Sequence, residues 1–285
     1  MKLKSKTYAG IPQEYGSFEK AGIILTSIPY DGTSTWLKGA NKGFNAFLYA
    51  SENMELYDIE TESEPYREGI FLPKPLNVKK DTPEEMVKRV YSETKKLLRY
   101  DRFLTFFGGE HSISIGILRA YAEKFKNMTV LQLDAHSDLR QEYEGTKYNH
   151  ACAMAEAQRY TNLIQAGIRS MDICEVPYLQ KDKVYFAHNI MDNSLWMEDS
   201  IKKMTPDVYI TLDLDVFDSS IMPSTGTPEP GGLNWYQVIT YLKAVFKEKN
   251  VIGFDIVELA PATHNQAPDF LAAKLYYKML AYKFS

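Results

Sequence analysis

Short apolar runs alternate with longer segments of helical period along most of the chain, and that order leaves few folds open. The runs of strand length are Ile23–Ile28, Phe103–Phe107, Met128–Leu133, Leu163–Ile168, Val184–Ala187, Val208–Leu214 and Val251–Val257. Between them the helical pattern falls on Asn45–Met54, on a segment from Thr82 to about Tyr100, and on one turning Ile113, Ile117, Leu118 and Tyr121 inward. It returns at His150–Tyr160, in a helix capped by Asn234 and Gln237 and running to Phe246, and over Ala267–Tyr282. Thr82, Pro83 and Glu85 read as a cap, a proline at the first helical position and a glutamate three residues after the cap. Strands alternating with helices in this way predict an α/β fold of three layers, αβα, with a mostly parallel central sheet.

In such folds ligands gather beyond the carboxyl ends of the strands. There the sequence places its chemistry. Asp134, His136 and Asp138 follow the Met128–Leu133 run and alternate with small residues, so an extended chain would turn all three to one face. Asp213 and Asp215 repeat the spacing after their own run. His111 follows Phe103–Phe107 through Gly108-Gly109, and Glu258 closes Val251–Val257. A lone aspartate at a strand end is more often a turn or helix cap, and a lone histidine a core or surface residue. The gathering of these groups where four separate strands end is what points to a site.

Hard carboxylates with a minority of imidazoles and no thiolate suit Mn²⁺ or Mg²⁺, with Fe²⁺, Co²⁺, Ni²⁺ and Zn²⁺ still open. Four aspartates and two histidines exceed the needs of one ion and suffice for two if Asp134 and Asp213 bridge. Two ions roughly 3.5 Å apart can share a water and turn it into hydroxide at neutral pH. Hydrolysis is the reaction this arrangement predicts. A two-metal phosphoesterase would want cationic groups beside the ions, whereas this cluster is acidic, so cations are the better substrates.

Composition narrows the alternatives. At 285 residues with no visible linker, residues 1–285 read as a single domain, and 45% hydrophobic residues supply a large core. A net charge of −4 with no basic run excludes a nucleic-acid partner. The amino terminus begins basic but lacks the apolar stretch of a secretory signal, and no segment is long and apolar enough for a bilayer. Cys152 and Cys174 lack a zinc-ligand spacing and sit in helical segments, so both are expected to be reduced, packed thiols in the cytoplasm.

Gly108-Gly109-Glu110-His111-Ser112, Asp134-Ala135-His136-Ser137-Asp138 and Asp213-Leu214-Asp215-Val216-Phe217-Asp218, in that order, resemble the three signatures of the arginase and agmatinase (ureohydrolase) family. Thr225–Gly232 and Asp255-Ile256-Val257-Glu258 extend the likeness, which covers most of the chain from Ser27 onward. The resemblance implies an arginase-like fold and two Mn²⁺ per subunit. His111, Asp134, Asp138 and Asp213 would surround one ion; Asp134, His136, Asp213 and Asp215 would surround the other. It further implies that a metal-bridging hydroxide attacks a guanidinium carbon, that Glu258 holds the guanidinium, and that His150 shuttles protons. A homotrimer or hexamer is implied as well.

The loop Pro228–Gly232 resembles the agmatinase version more than the arginase one, which makes agmatine, cleaved to putrescine and urea, the first choice of substrate. Glu142, Glu144 or Glu229 would then oppose its second positive charge from the cleft rim. Leu139-Arg140 also occurs in formiminoglutamase-like members, where the arginine would face a substrate carboxylate. Guanidinobutyrate, arginine, guanidine and formiminoglutamate thus stay as alternatives, as does a non-catalytic, metal-binding regulatory protein. Asp218 is read as a turn residue, and His188 and His264 as structural.

Overall fold

A computed structural model describes residues 6–191 and 193–285, so the basic opening of the chain lies outside the described residues. Among the described residues eight strands form one sheet: β1 (Ile23–Ile28), β2 (Ile70–Phe71), β3 (Phe103–Gly108), β4 (Thr129–Leu133), β5 (Asn162–Ile168), β6 (Val184–Phe186), β7 (Asp207–Asp213) and β8 (Asn250–Val257). Their order across the sheet is β2-β1-β3-β8-β7-β4-β5-β6, and every neighbouring pair is parallel. The expected mostly parallel sheet is therefore parallel throughout the described residues. Each connection is long enough to carry the chain back across the sheet, and most do so through a helix.

The α-helices are α1 (Gly43–Ser51), α2 (Pro83–Leu97), α3 (Ile113–Lys124), α4 (Ala153–Ala157), α5 (Ala187–Ile190), α6 (Leu195–Lys202), α7 (Trp235–Glu248) and α8 (Ala267–Phe284). Strand alternation divides the core between two faces. In β1, Ile23 and Leu25 join one apolar cluster with Phe47 of α1, Trp196 of α6, Leu242 of α7 and Tyr276 of α8. Ile24 and Ile28 join the other, with Val87 and Val90 of α2, Ile117 of α3 and Met154 of α4. These are the three layers, with the sheet in the middle.

Local signals explain the helix starts. Thr82 Oγ1 accepts from the Glu85 amide while Glu85 Oε2 accepts from the Thr82 amide at 2.8 Å, a reciprocal cap on α2. Asn234 and Gln237 do the same for α7 at 3.0 and 2.9 Å. The predicted helix over His150–Tyr160 is shorter, a 3₁₀ turn at His150–Cys152 followed by α4. Cys174 corrects another expectation. It is exposed, because the 3₁₀ turn Ile173–Tyr178 lies on the surface, whereas Cys152 is buried as predicted.

One consequence of the strand order bears on function. β3, β8, β7 and β4 are consecutive in the sheet, and they are the four strands whose carboxyl ends lead into His111, Glu258, the Asp213 pair and the Asp134 group.

Candidate metal centre and active site

His111 stands at the middle of the cluster. Its Nδ1 lies 3.0 Å from Asp134 Oδ2, 3.1 Å from Asp138 Oδ2 and 3.5 Å from Asp213 Oδ2. Its Nε2 faces Thr211 Oγ1 at 2.8 Å, and Thr211 donates onward to Asp255 Oδ1 at 2.7 Å. That direction makes Nε2 a donor, so the lone pair of the neutral ring falls on Nδ1, which is buried without a hydrogen-bond partner among the described residues. Beside it, His136 Nδ1 lies 2.9 Å from Asp215 Oδ2 and 3.6 Å from Asp134 Oδ1. Ligand atoms of His111, Asp134 and Asp213 fall within 4.8 Å of one another, as do those of Asp134, His136 and Asp215. Two such groups sharing Asp134, and an orphaned imidazole nitrogen turned on three carboxylates, fit a pair of hard divalent cations.

The route by which Asp138 joins them differs from the extended alternation expected. The chain leaves β4 at Leu133, and Asp138 adopts a left-handed backbone with φ 53°. Glu175 holds that turn, its Oε1 accepting from Ser137 Oγ at 2.5 Å and from the Leu139 amide at 2.8 Å. Asp215 likewise sits in a 3₁₀ turn, Leu214–Val216, started by a bond from its own amide to Asp213 Oδ1 at 2.9 Å. Gly109 permits the close packing of the His111 turn, since a Cβ there would lie 1.7 Å from the carbonyl oxygen of Tyr30.

Beneath the candidate ligands runs a buried polar row that the sequence reading missed. Gln165 of β5 pairs in register with Gln132 of β4, Gln132 with Thr211 of β7, and Thr211 with Asp255 of β8. Gln165 Nε2 donates to Gln132 Oε1 at 2.6 Å, and Gln132 Nε2 donates to Asp134 Oδ2 at 2.7 Å. One half of the row therefore orients Asp134 and the other half orients His111. The signal was available, because most polar side chains buried inside an apolar strand have hydrogen-bond partners.

Burial sets the electrostatics. It pushes Asp138 up to about 7, with Asp134 adding to the rise. Asp213 is raised by burial and then by Asp215, and Glu258 by burial and then by Glu110. Burial opposes a charge on His111, but Asp134 and Asp138 outweigh it and raise its pKa; for His136, Asp215 and Asp134 do the same. Burial would also raise Asp134, yet His111 and His136 hold it well below the usual carboxylate range. Without metal, protons on these groups stand where cations would, so cation binding is expected to release them.

Glu258 and His150 border the same cleft, which is about 240 Å³ and open to solvent. Glu258, also left-handed at φ 68°, accepts the His111 amide on Oε1 at 2.7 Å, while Oε2 lies beside Gly226. His150 Nδ1 lies 3.0 Å from Thr33 Oγ1, and burial lowers its pKa. Arg140 lines the cleft, but its guanidinium stacks on Tyr143 at 4.6 Å and pairs with Asp172 at 3.1 Å. Glu142 and Glu144 are exposed and do not line the cleft; Glu229 is half-buried, 3.8 Å from His136 Nε2. Asp218 takes its turn role, accepting the Ser220, Gly231 and Gly232 amides, and His188 and His264 lie exposed outside the site.

A further residue unnoticed in the sequence, Arg169, ties the rim to the candidate ligands. Arg169, just after β5, donates from Nη2 to the carbonyls of Asp215 at 2.6 Å and Glu229 at 2.8 Å, and from Nε to Pro230 at 3.0 Å.

Comparison with known proteins agrees with this geometry. The Arginase family model matches residues 21–281. An N(1)-aminopropylagmatine ureohydrolase of Synechocystis sp. is 34% identical over 93% of this chain and 90% of its own. An agmatinase of Pyrococcus horikoshii is 30% identical over 91% of each chain. The crystal structure of agmatine ureohydrolase of Thermoplasma volcanium superposes with a TM-score of 0.86 at 29% identity, covering 99% of this chain and 95% of that one. This chain is a member of the arginase family, a ureohydrolase with that family's α/β fold.

Proposed function

We propose that this ureohydrolase cleaves a linear guanidino amine, releasing urea and a primary amine. The observation that supports it most is Glu258, a buried carboxylate that borders the cleft beside the candidate ligand cluster and, among the described residues, has one oxygen tied to the His111 amide and the other without a hydrogen bond. A carboxylate is the natural partner of a planar guanidinium. His111, Asp134, Asp138 and Asp213 would hold one divalent cation and Asp134, His136, Asp213 and Asp215 the other, Mn²⁺ being the first choice for such hard donors. Bound there, the cations would acidify water at neutral pH and so supply the nucleophile.

The chain's own residues do the rest. Glu258 orients the guanidinium so that its carbon faces the ligand cluster. The oxygen of water joins that carbon, the bond to the alkylated nitrogen breaks, and His150 hands a proton to that nitrogen as it leaves. The products are urea and the amine. One sheet gathers strands from both halves, so the chain acts as one catalytic unit, and its two free cysteines suit a reducing compartment such as the cytoplasm. Assembly into a trimer or hexamer belongs to the same reading.

Agmatine is the first substrate proposed, and the 34% identical relative named for N(1)-aminopropylagmatine favours its extended form as the second. Both present a cationic far end. Arg140 has its charge engaged by Asp172, which weighs against an arginine waiting for a substrate carboxylate. The test is urea release by Mn²⁺-loaded protein on agmatine, N(1)-aminopropylagmatine, arginine, guanidinobutyrate and guanidine, with formamide release followed for formiminoglutamate. One of the first two is expected to exceed every carboxylate-bearing compound by about 100-fold in kcat/KM. Preference for guanidinobutyrate or formiminoglutamate would overturn the proposal.

A further inference from the structure

We infer that Thr33 is a positioning residue that fixes which nitrogen of His150 carries the proton, with Glu110 setting the direction of the Thr33 hydroxyl. The inference rests on the reading of His150 as the proton carrier. Three distant segments meet here: the loop after β1, the turn after β3 and the 3₁₀ turn before α4.

Glu110 is fully buried and receives four donors on two oxygens. They are the Thr33 amide at 2.7 Å, Thr33 Oγ1 at 2.6 Å, Ser34 Oγ at 3.2 Å and Ser112 Oγ at 2.6 Å. A carboxylate in that setting only accepts. The single hydroxyl proton of Thr33 is therefore committed to Glu110, at the short distance of a charge-assisted bond.

What remains on Thr33 Oγ1 is acceptor capacity. Two groups of His150 approach it, the backbone amide at 3.1 Å and Nδ1 at 3.0 Å. Both must donate. The neutral ring then carries its hydrogen on Nδ1 and its lone pair on Nε2, because the opposite tautomer would set lone pair against lone pair. Tyr143 meets the ring edge-on, with centroids 6.3 Å apart, and restricts its rotation. Of the two nitrogens, Nε2 is thus the one left to gain and lose a proton. Delivery to a departing amine requires such a nitrogen, in one defined place, at every turnover.

Thr33→Val tests this, because valine keeps the shape and the backbone bond to Glu110 but removes the hydroxyl. Thr33→Ser restores it. On the best guanidino substrate, Thr33→Val is expected to lower kcat by about 10-fold to 100-fold. KM and bound metal should be unchanged, and Thr33→Ser should recover most of the rate. Nitrogen-15 histidine spectra of the full chain supply a readout that simple loosening would not give. Wild-type His150 is expected to show the Nδ1–H pattern and Thr33→Val a mixture, with the signal assigned among the five histidines by its loss in His150→Gln.

The outcomes separate cleanly. Wild-type kcat in Thr33→Val alongside a crippled His150→Gln overturns the role of Thr33 and leaves that of His150 standing. Full turnover in His150→Gln overturns both. Should Thr33→Val fold poorly, the wild-type spectrum decides alone, since an Nε2–H pattern there is incompatible with the inference.

Discussion

Asp138 and Glu258, two acids of the site, hold left-handed backbones with φ 53° and 68°. For residues with a side chain, that conformation costs about 1–2 kcal/mol each. It persists because neighbours impose it: Glu175 on the Asp138 turn, and the bond from the Glu258 amide to the Gly109 carbonyl at 2.8 Å. A different kind of cost sits at Asp269, buried in the first turn of α8 with neither oxygen hydrogen-bonded among the described residues. Burial pushes its pKa up to about 6. The folded value lies above the unfolded one, so the native state binds the proton more tightly between about pH 4 and pH 6. Stability contributed by the neutral acid is present below that window and lost as pH rises through it. Asp269→Asn is expected to gain about 2 kcal/mol at pH 8 and almost nothing at pH 3.5. Urea unfolding at the two pH values checks this, and an equal effect at both would sink it. At this scale the candidate ligands were legible because their chemistry is written in residue type, whereas the left-handed turn that delivers Asp138 was not, since nothing in Asp-Ala-His-Ser-Asp distinguishes it from extended chain.

Among the elements, the rim loop and the Asp215 turn are joined by one guanidinium. Arg169 reaches carbonyls of both, and a lysine in its place has no planar fork to span them. Arg169→Lys is expected to weaken Mn²⁺ binding by about 10-fold, measured by competition with a chelator. Unchanged affinity would mean that the clamp does not orient Asp215. Seven of the eight strands were readable as apolar runs of strand length. The exception, β2, has two residues and therefore no period to detect, and β5 and β6 were found without any sign that they lie to one side of the site. What no local pattern carries is lateral order. That β8 and β7 sit between β3 and β4 follows from the packing of helices on two faces, so the consecutive placement of the four ligand-bearing strands came only with the structure.

For the molecule as a whole, the buried acids make cation binding a term in global stability. A ligand present at 100 times its Kd and bound only by the folded state contributes about 2.7 kcal/mol, which for a chain of this size corresponds to a fall in Tm of about 5 °C on chelation. Scanning calorimetry with EDTA and then with Mn²⁺ restored checks it; identical melting curves would mean the cluster does not bind the ion. The fold class was legible at this scale because alternating periods leave one architecture.

The placement of β7 and β8 also has a consequence for how the protein is made. They follow the other six described strands in chain order, yet they occupy the middle of the sheet. Until they arrive, the group β1–β3 and the group β4–β6 cannot meet, and each leaves open the flank that the finished protein hides most completely. Parallel pairing across such separations is slow and exposed to aggregation. The outermost strands, with two and three residues, offer little to a stray partner once folding is done. The hazard therefore belongs to the nascent chain before β7 and β8 have joined, and that is when a chaperone would have most to cover.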